Sequence, residues 1–162
     1  MDTLTKNPGL QHIAEEIFLN LSLSDILKCS RVNESWKTIL DKPHFWIQKR
    51  AQDPKFKNKS AWKKLVQLTS QTCLEKKLTL DLKYDYDNIC SKYCPIFWLL
   101  NNCGEDSICA DIIKKLAPLM ENFNNEYSLI GKAAKKGYSD VINVLVLEYP
   151  MLNSLLYLLL NS

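Results

Sequence analysis

The sequence is short of the residues that break or reverse a chain: 4 Gly and 6 Pro are scattered over 162 positions. So sparse a supply excludes collagen-like and low-complexity classes, and it leaves too few turn formers for the many hairpins of an all-β fold. There is no uninterrupted apolar run of about 18 residues, the length that a membrane-spanning helix needs. The most apolar tract, residues 144–160, is broken by Glu148, Pro150 and Asn153 and reads as one side of a packed terminal helix. The first nine residues lack the charged-then-apolar pattern of a secretory signal, so residence in the cytoplasm and/or nucleus is expected. A net charge of +3 is too small to hold a polyanion, so neither nucleic acid nor a membrane surface is expected as a partner. Histidine is scarce as well, with only His12 and His44, and neither a Gly-rich phosphate loop nor a metal-type acid cluster occurs. No catalytic residue, no metal site and no cofactor are therefore expected, and the chain is not read as an enzyme.

What is present is 46% hydrophobic and 24% charged, the composition of a globular protein, with the Leu, Ile, Lys and Asn content of helices joined by short loops. An all-α fold follows. In a reducing compartment the six cysteines are expected as thiols. Cys90, Cys94, Cys103 and Cys109 are separated by three, eight and five residues, which suits neither a zinc ribbon nor a Cys/His finger. Cys94 or Cys109 could act as a nucleophile only with a histidine, and the second half of the chain has none.

Residues 8–50 carry the densest helical pattern. Ile13, Ile17, Phe18 and Leu21 fall at i, i+4, i+5 and i+8, one apolar stripe of a first helix. Ser24 followed by Asp25 reads as the cap and acidic first turn of a second helix through Cys29. Val32, Trp36, Ile39 and Leu40 continue into a third, stopped near Asp41 and Lys42 by Pro43, with Phe45-Trp46 following as an aromatic anchor. Three short helices make a very small core, and the surplus of large apolar side chains points to an interface completed by a partner.

Residues 51–92 read as a partly helical connector. From 49 to 64 seven Lys or Arg stand against one acid, Asp53, a local charge of +6, here taken as a solvated lysine face. A helix is expected over Ser60–Thr72, carrying Trp62, Leu65, Val66 and Leu68. Leu78 to Leu82 alternates like a strand, whereas the preceding Glu75-Lys76-Lys77 favours a helix, with Tyr84 to Asn88 as the loop after it. Beyond Tyr93 the chain repeats itself at a period of 33: Ile96, Phe97, Leu100 and Gly104 recur as Leu129, Ile130, Ala133 and Gly137. Each copy gives a short helix ending in a Gly suited to a left-handed cap, then a second helix carrying Ile108, Ile112, Ile113 and Leu116 or Val141, Ile142, Leu145 and Val146. Residues 93–149 thus form two paired-helix units, and 150–162 a capping helix, through Leu152, Leu155, Leu156 and Leu159, or the start of a further repeat.

Ile13, Ile17-Phe18, Leu21, Asp25-Ile26-Leu27, Cys29, Val32-Asn33, Trp36 and Phe45-Trp46 resemble the ordered pattern of the F-box family, with Leu10 at the family's Pro position and Pro8 displaced by two residues. Residues 128–138, Ser-Leu-Ile-Gly-Lys-Ala-Ala-Lys-Lys-Gly-Tyr, are similar to the Thr-Pro-Leu-His-x-Ala-Ala-x-x-Gly-His core of ankyrin repeats, and residues 94–100 to a degenerate first copy. The F-box resemblance implies docking on a Skp-type adaptor, and through it a cullin ligase, by Leu10, Ile13, Ile17, Phe18, Leu21, Ile26, Leu27, Val32 and Trp36. The ankyrin-like half would then present a protein substrate, making the chain the recognition adaptor of an SCF-type ubiquitin ligase. The alternative is an ankyrin-type interaction scaffold, or a pathogen effector that engages the host ligase.

Overall fold

Short side chains cap the starts of three helices. Asn33 accepts the Trp36 N–H at 2.9 Å, Ser22 that of Asp25 at 3.2 Å and Cys94 that of Phe97 at 3.2 Å, each relieving one of the unpaired donors of a helix N-terminus. The computed structural model describes residues 3, 7–84, 94–120 and 126–150. Over these the chain is all-α. After a 3-10 turn at Pro8–Leu10 come α1 (Gln11–Leu19), α2 (Leu23–Cys29), α3 (Glu34–Leu40), α4 (Pro43–Ala51), α5 (Lys59–Thr69) and α6 (Leu74–Tyr84). Then follow α7 (Pro95–Asn102), α8 (Asp106–Leu116), a 3-10 turn at Ala117–Leu119, α9 (Glu126–Lys136) and α10 (Ser139–Glu148).

Several expectations are corrected in detail. The cap of α2 is Ser22 rather than Ser24: its extended backbone (φ −64°, ψ 156°) turns into the helix and its carbonyl already accepts the Ile26 N–H at 3.0 Å. Pro43 ends α3 and also begins α4, because a ring without an N–H costs nothing at the first helical position. Phe45 and Trp46 therefore lie on a fourth helix and are fully buried there. The segment around Leu78 is the helix that Glu75-Lys76-Lys77 favoured, but Tyr84, expected in the loop after it, is its last residue. The loop expected through Asn88 otherwise lies outside the described residues, as do Cys90 and the terminal helix expected from Met151 onward.

Among the described residues one core runs through all ten helices, from Phe18 and Ile26 to Val141 and Leu145. Of the N-terminal helices, α4 carries the packing onto later ones: it contacts α1 and α3 on one side and α5 and α6 on the other. Arg50, in its last turn, is fully buried and donates from Nε to the Leu82 carbonyl at 3.1 Å and from Nη2 to the same oxygen. A cation is favoured there, at the C-terminal end of α6. The solvated lysine face expected for 49–64 is thus corrected at three positions. Arg50 is core, Lys49 reaches the end of α1, and Lys59 donates to the Ala51 carbonyl at 2.9 Å. Next in line, α5 packs Ala61, Trp62 and Leu65 against α4, α6, α7 and α8.

The last four helices form two paired layers, in which α7 packs on α9 and α8 on α10. Burial repeats with the period of 33: Ile96 and Leu129 are buried, Phe97 and Ile130 half-buried, Leu100 and Ala133 buried. Gly137, at φ 71°, supplies the left-handed turn after α9, and the Tyr138 N–H returns to the Ala133 carbonyl at 3.0 Å. Gly104 does not. Its helix ends instead in extended backbone at Cys103, whose freed carbonyl accepts Lys136 Nζ at 3.1 Å and the Tyr138 hydroxyl at 2.9 Å. The Asp106 carboxylate accepts the N–H groups of Asp140 at 2.9 Å and Val141 at 3.0 Å, so the start of α8 caps α10.

Burial raises the Asp106 pKa, but the bonds from Asp140, Val141 and Ser139 outweigh it and leave it below the ordinary value. A depressed folded pKa contributes stability above the unfolded value, and that contribution is lost as pH falls through the folded one. Asp106→Ala is therefore expected to lower the urea midpoint most at neutral pH, with the gap to the native protein closing below roughly pH 4. A gap that stays constant down to roughly pH 2 would contradict the assignment.

Candidate functional site: the outer face of the N-terminal helices

Besides their shared apolar core, the first four helices are tied to each other by polar groups at their ends. Lys49 Nζ, on α4, donates to the Leu19 and Leu21 carbonyls at 2.7 and 2.9 Å and so closes the end of α1. Burial lowers its pKa, a cost set against those two charge-assisted bonds. Glu15 on α1 pairs with Lys42 at 3.2 Å and lies 3.5 Å from His44 Nε2, at the start of α4. Trp46 Nε1 donates to the Leu40 carbonyl at 2.6 Å, which satisfies the end of α3. Sequence reasoning missed these ties because a lone lysine or glutamate carries no periodic signal.

On α2, the Ser22 hydroxyl hydrogen-bonds the Asp25 carboxylate at 2.7 Å while Lys28 lies 3.2 Å away, and these two hold the Asp25 pKa below its ordinary value. The first turn of α2 is thus closed on itself.

Within this frame the expected partner-binding residues divide into two sets. Phe18 and Ile26 are fully buried in the unit's own core, so they support the face from beneath rather than form it. Leu21 and Trp36 are half-buried and pack against that core, with the Trp36 ring edge-on to Phe18 at 5.4 Å. Leu10, Ile13 and Leu27 are half-buried at the surface, while Ile17 is 38% and Val32 60% exposed. Ala14 and Phe18 turn inward on α1, so the wide stripe read from the sequence has an inner half that builds the unit and an outer half left to solvent. Large aliphatic side chains left in this way are unfavourable to a free surface and favourable to an interface core.

Two of the thiols are held in their protonated form. Burial pushes Cys94 up to about 11 and Cys109, beside Cys103, up to about 12, so both remain protonated at neutral pH and are poor nucleophiles and poor ligands. Among the described residues no three His, Cys, Asp or Glu side chains come together as a metal site, and no helix is long and apolar enough to cross a membrane. His44 is half-exposed beside Glu15, and His12 is exposed on α1.

Residues 11–48 match the F-box domain family, a span that begins with α1 and ends within α4. No curated protein and no solved structure matches the chain.

Trp36 Nε1 is buried without a hydrogen-bond partner among the described residues. Trp36→Phe should therefore cost less than about 1 kcal/mol, since it removes an N–H that makes no bond while keeping the ring contact with Phe18. Trp36→Ala should cost about 2 to 3 kcal/mol, below the full-core figure because the ring is half-buried. Urea denaturation of the two variants checks this ordering, and equal losses would refute it.

Proposed function

We propose that this chain is the substrate-recognition adaptor of an SCF-type ubiquitin ligase, binding a Skp-type adaptor through the outer face of α1–α3 and presenting a protein substrate on its paired-helix half. The observation that carries the reading is the conjunction of the F-box match at 11–48 with the exposure of Ile17 and Val32 on that segment. A helical unit whose inner side chains are already satisfied, and whose outer ones are aliphatic, fits a partner that covers it with helices of its own.

The paired layers of α7–α10 support an ankyrin-like reading of the second half. First helices stack on first helices and second on second, with small or apolar residues buried at the same offset of 33. In such arrays the exposed turns and helix faces carry recognition, and the scaffold does not fix the ligand. Substrate selection would therefore fall to α7–α10 and ligase attachment to α1–α3.

Purified full-length chain and a Skp-type adaptor are expected to co-elute in size-exclusion chromatography. Ile17→Asp and Val32→Asp, which place charges on a surface that must desolvate, should each weaken binding by roughly 30-fold or more. Circular dichroism should be unchanged, since both side chains are exposed. Folded native chain that does not associate with the adaptor would overturn the reading.

A further inference from the structure

Beside α3 runs a second apolar surface that lies outside the matched F-box segment. Leu80 is 47% and Tyr84 65% exposed, both on α6, where they line a groove with Lys37, Thr79 and Lys83. An adjoining hollow shares Lys37, Lys83 and Tyr84 with it and continues to Val32 and Asn33 at the start of α3. Three of the large apolar side chains exposed on this protein thus lie along one path, which starts on the proposed adaptor face and ends on α6.

We infer that the footprint of the Skp-type adaptor runs off the F-box onto α6, with Leu80 and Tyr84 as its additional apolar contacts. This rests on the adaptor reading above and extends it to residues beyond the F-box.

Three observations select this occupant. Val32 belongs both to the adaptor face and to the groove, so a partner seated on α3 arrives at α6 without a gap. The two walls are fixed relative to each other: Lys83 on α6 pairs with Asp41, at the end of α3, at 3.3 Å, and α4 packs on both helices. Along the groove and hollow the cations Arg31, Lys37, Lys76 and Lys83 are interspersed with the acids Glu34, Asp41 and Glu75, and Lys83 pairs with Asp41 and Lys37 with Glu34 at 3.8 Å; so nearly balanced a lining disfavours a nucleic acid or other polyanion and leaves Leu80 and Tyr84 as the groups a partner would cover. A protruding tyrosine beside a leucine is the kind of anchor that such a partner would enclose.

The test is titration calorimetry of the full chain against a purified Skp-type adaptor. It compares the native chain, Leu80→Ser/Tyr84→Ser, Ile17→Asp and, as a surface control on another helix, Lys135→Ala on α9. Both substituted side chains of the double variant are exposed, and its melting curve is expected to match the native one. The expected result is a Kd raised at least about tenfold in the double variant and unchanged in Lys135→Ala. A double variant that binds within twofold of native, while Ile17→Asp does not bind, would overturn this inference and leave the adaptor reading standing. Native chain that binds no adaptor would overturn both. Sedimentation showing a native dimer that the double variant abolishes, with adaptor affinity unaltered, would assign the groove to a second copy of this chain instead.

Discussion

A buried guanidinium ties α4, the last of the N-terminal helices, to α6. Arg50 has no exposed surface, and a cation in that position is tolerable only where its donors are satisfied. The Leu82 carbonyl, at the end of α6, accepts from two of its nitrogens. The same helix carries Lys49 to the end of α1 and Trp46 to the end of α3, so α4 gathers three helix C-termini through side chains four or fewer residues apart. Displacing α4 would leave carbonyls unpaired at each of them.

The consequence for function is geometric. A free-standing F-box-sized unit buries a small fraction of its surface and would sit on a hinge. Here α4 packs on α5 and α6, and α5 packs in turn on α7 and α8, so the face that would hold the adaptor and the layers that would hold the substrate share a core. In the proposed role, the orientation of a bound substrate relative to the ligase would be set by this packing rather than by a linker. The surface on α6 fits the same arrangement, because it is held against α3 by the Lys83–Asp41 pair.

Much of the helical plan was legible in the sequence, where periodicity and caps act locally. The apolar stripe of α1 and the Val32, Trp36, Ile39 and Leu40 spacing of α3 depend on neighbours a few positions away, and the recurrence at 33 residues repeats one such local pattern. The errors arose where two local signals competed or where a distant group decided. Ser22 and Ser24 are both competent caps, and backbone direction chose the earlier one. Pro43 is both a stop and a start. The run of seven basic residues looked solvated because lysine and arginine usually are, yet Arg50 and Lys49 find carbonyls 32 and 30 residues away that no local pattern announces. The division of the candidate site into buried Phe18 and Ile26 and outward Ile17 and Val32 was likewise hidden. Apolar character marks both sides of a helix alike when one side awaits a partner.

The central claim is that α1–α4 and α7–α10 belong to one cooperative structure built across α4, α5 and α6. Native-state hydrogen exchange, read by mass spectrometry at increasing urea on the free chain and on Arg50→Leu, addresses it directly. The account predicts that core amides of α1, α4, α8 and α10 open with one free energy and one urea dependence, and that Arg50→Leu lowers all of them together. Amides of α1–α4 that open at a lower free energy with a shallower urea slope, unaffected by Arg50→Leu in α8 and α10, would contradict it.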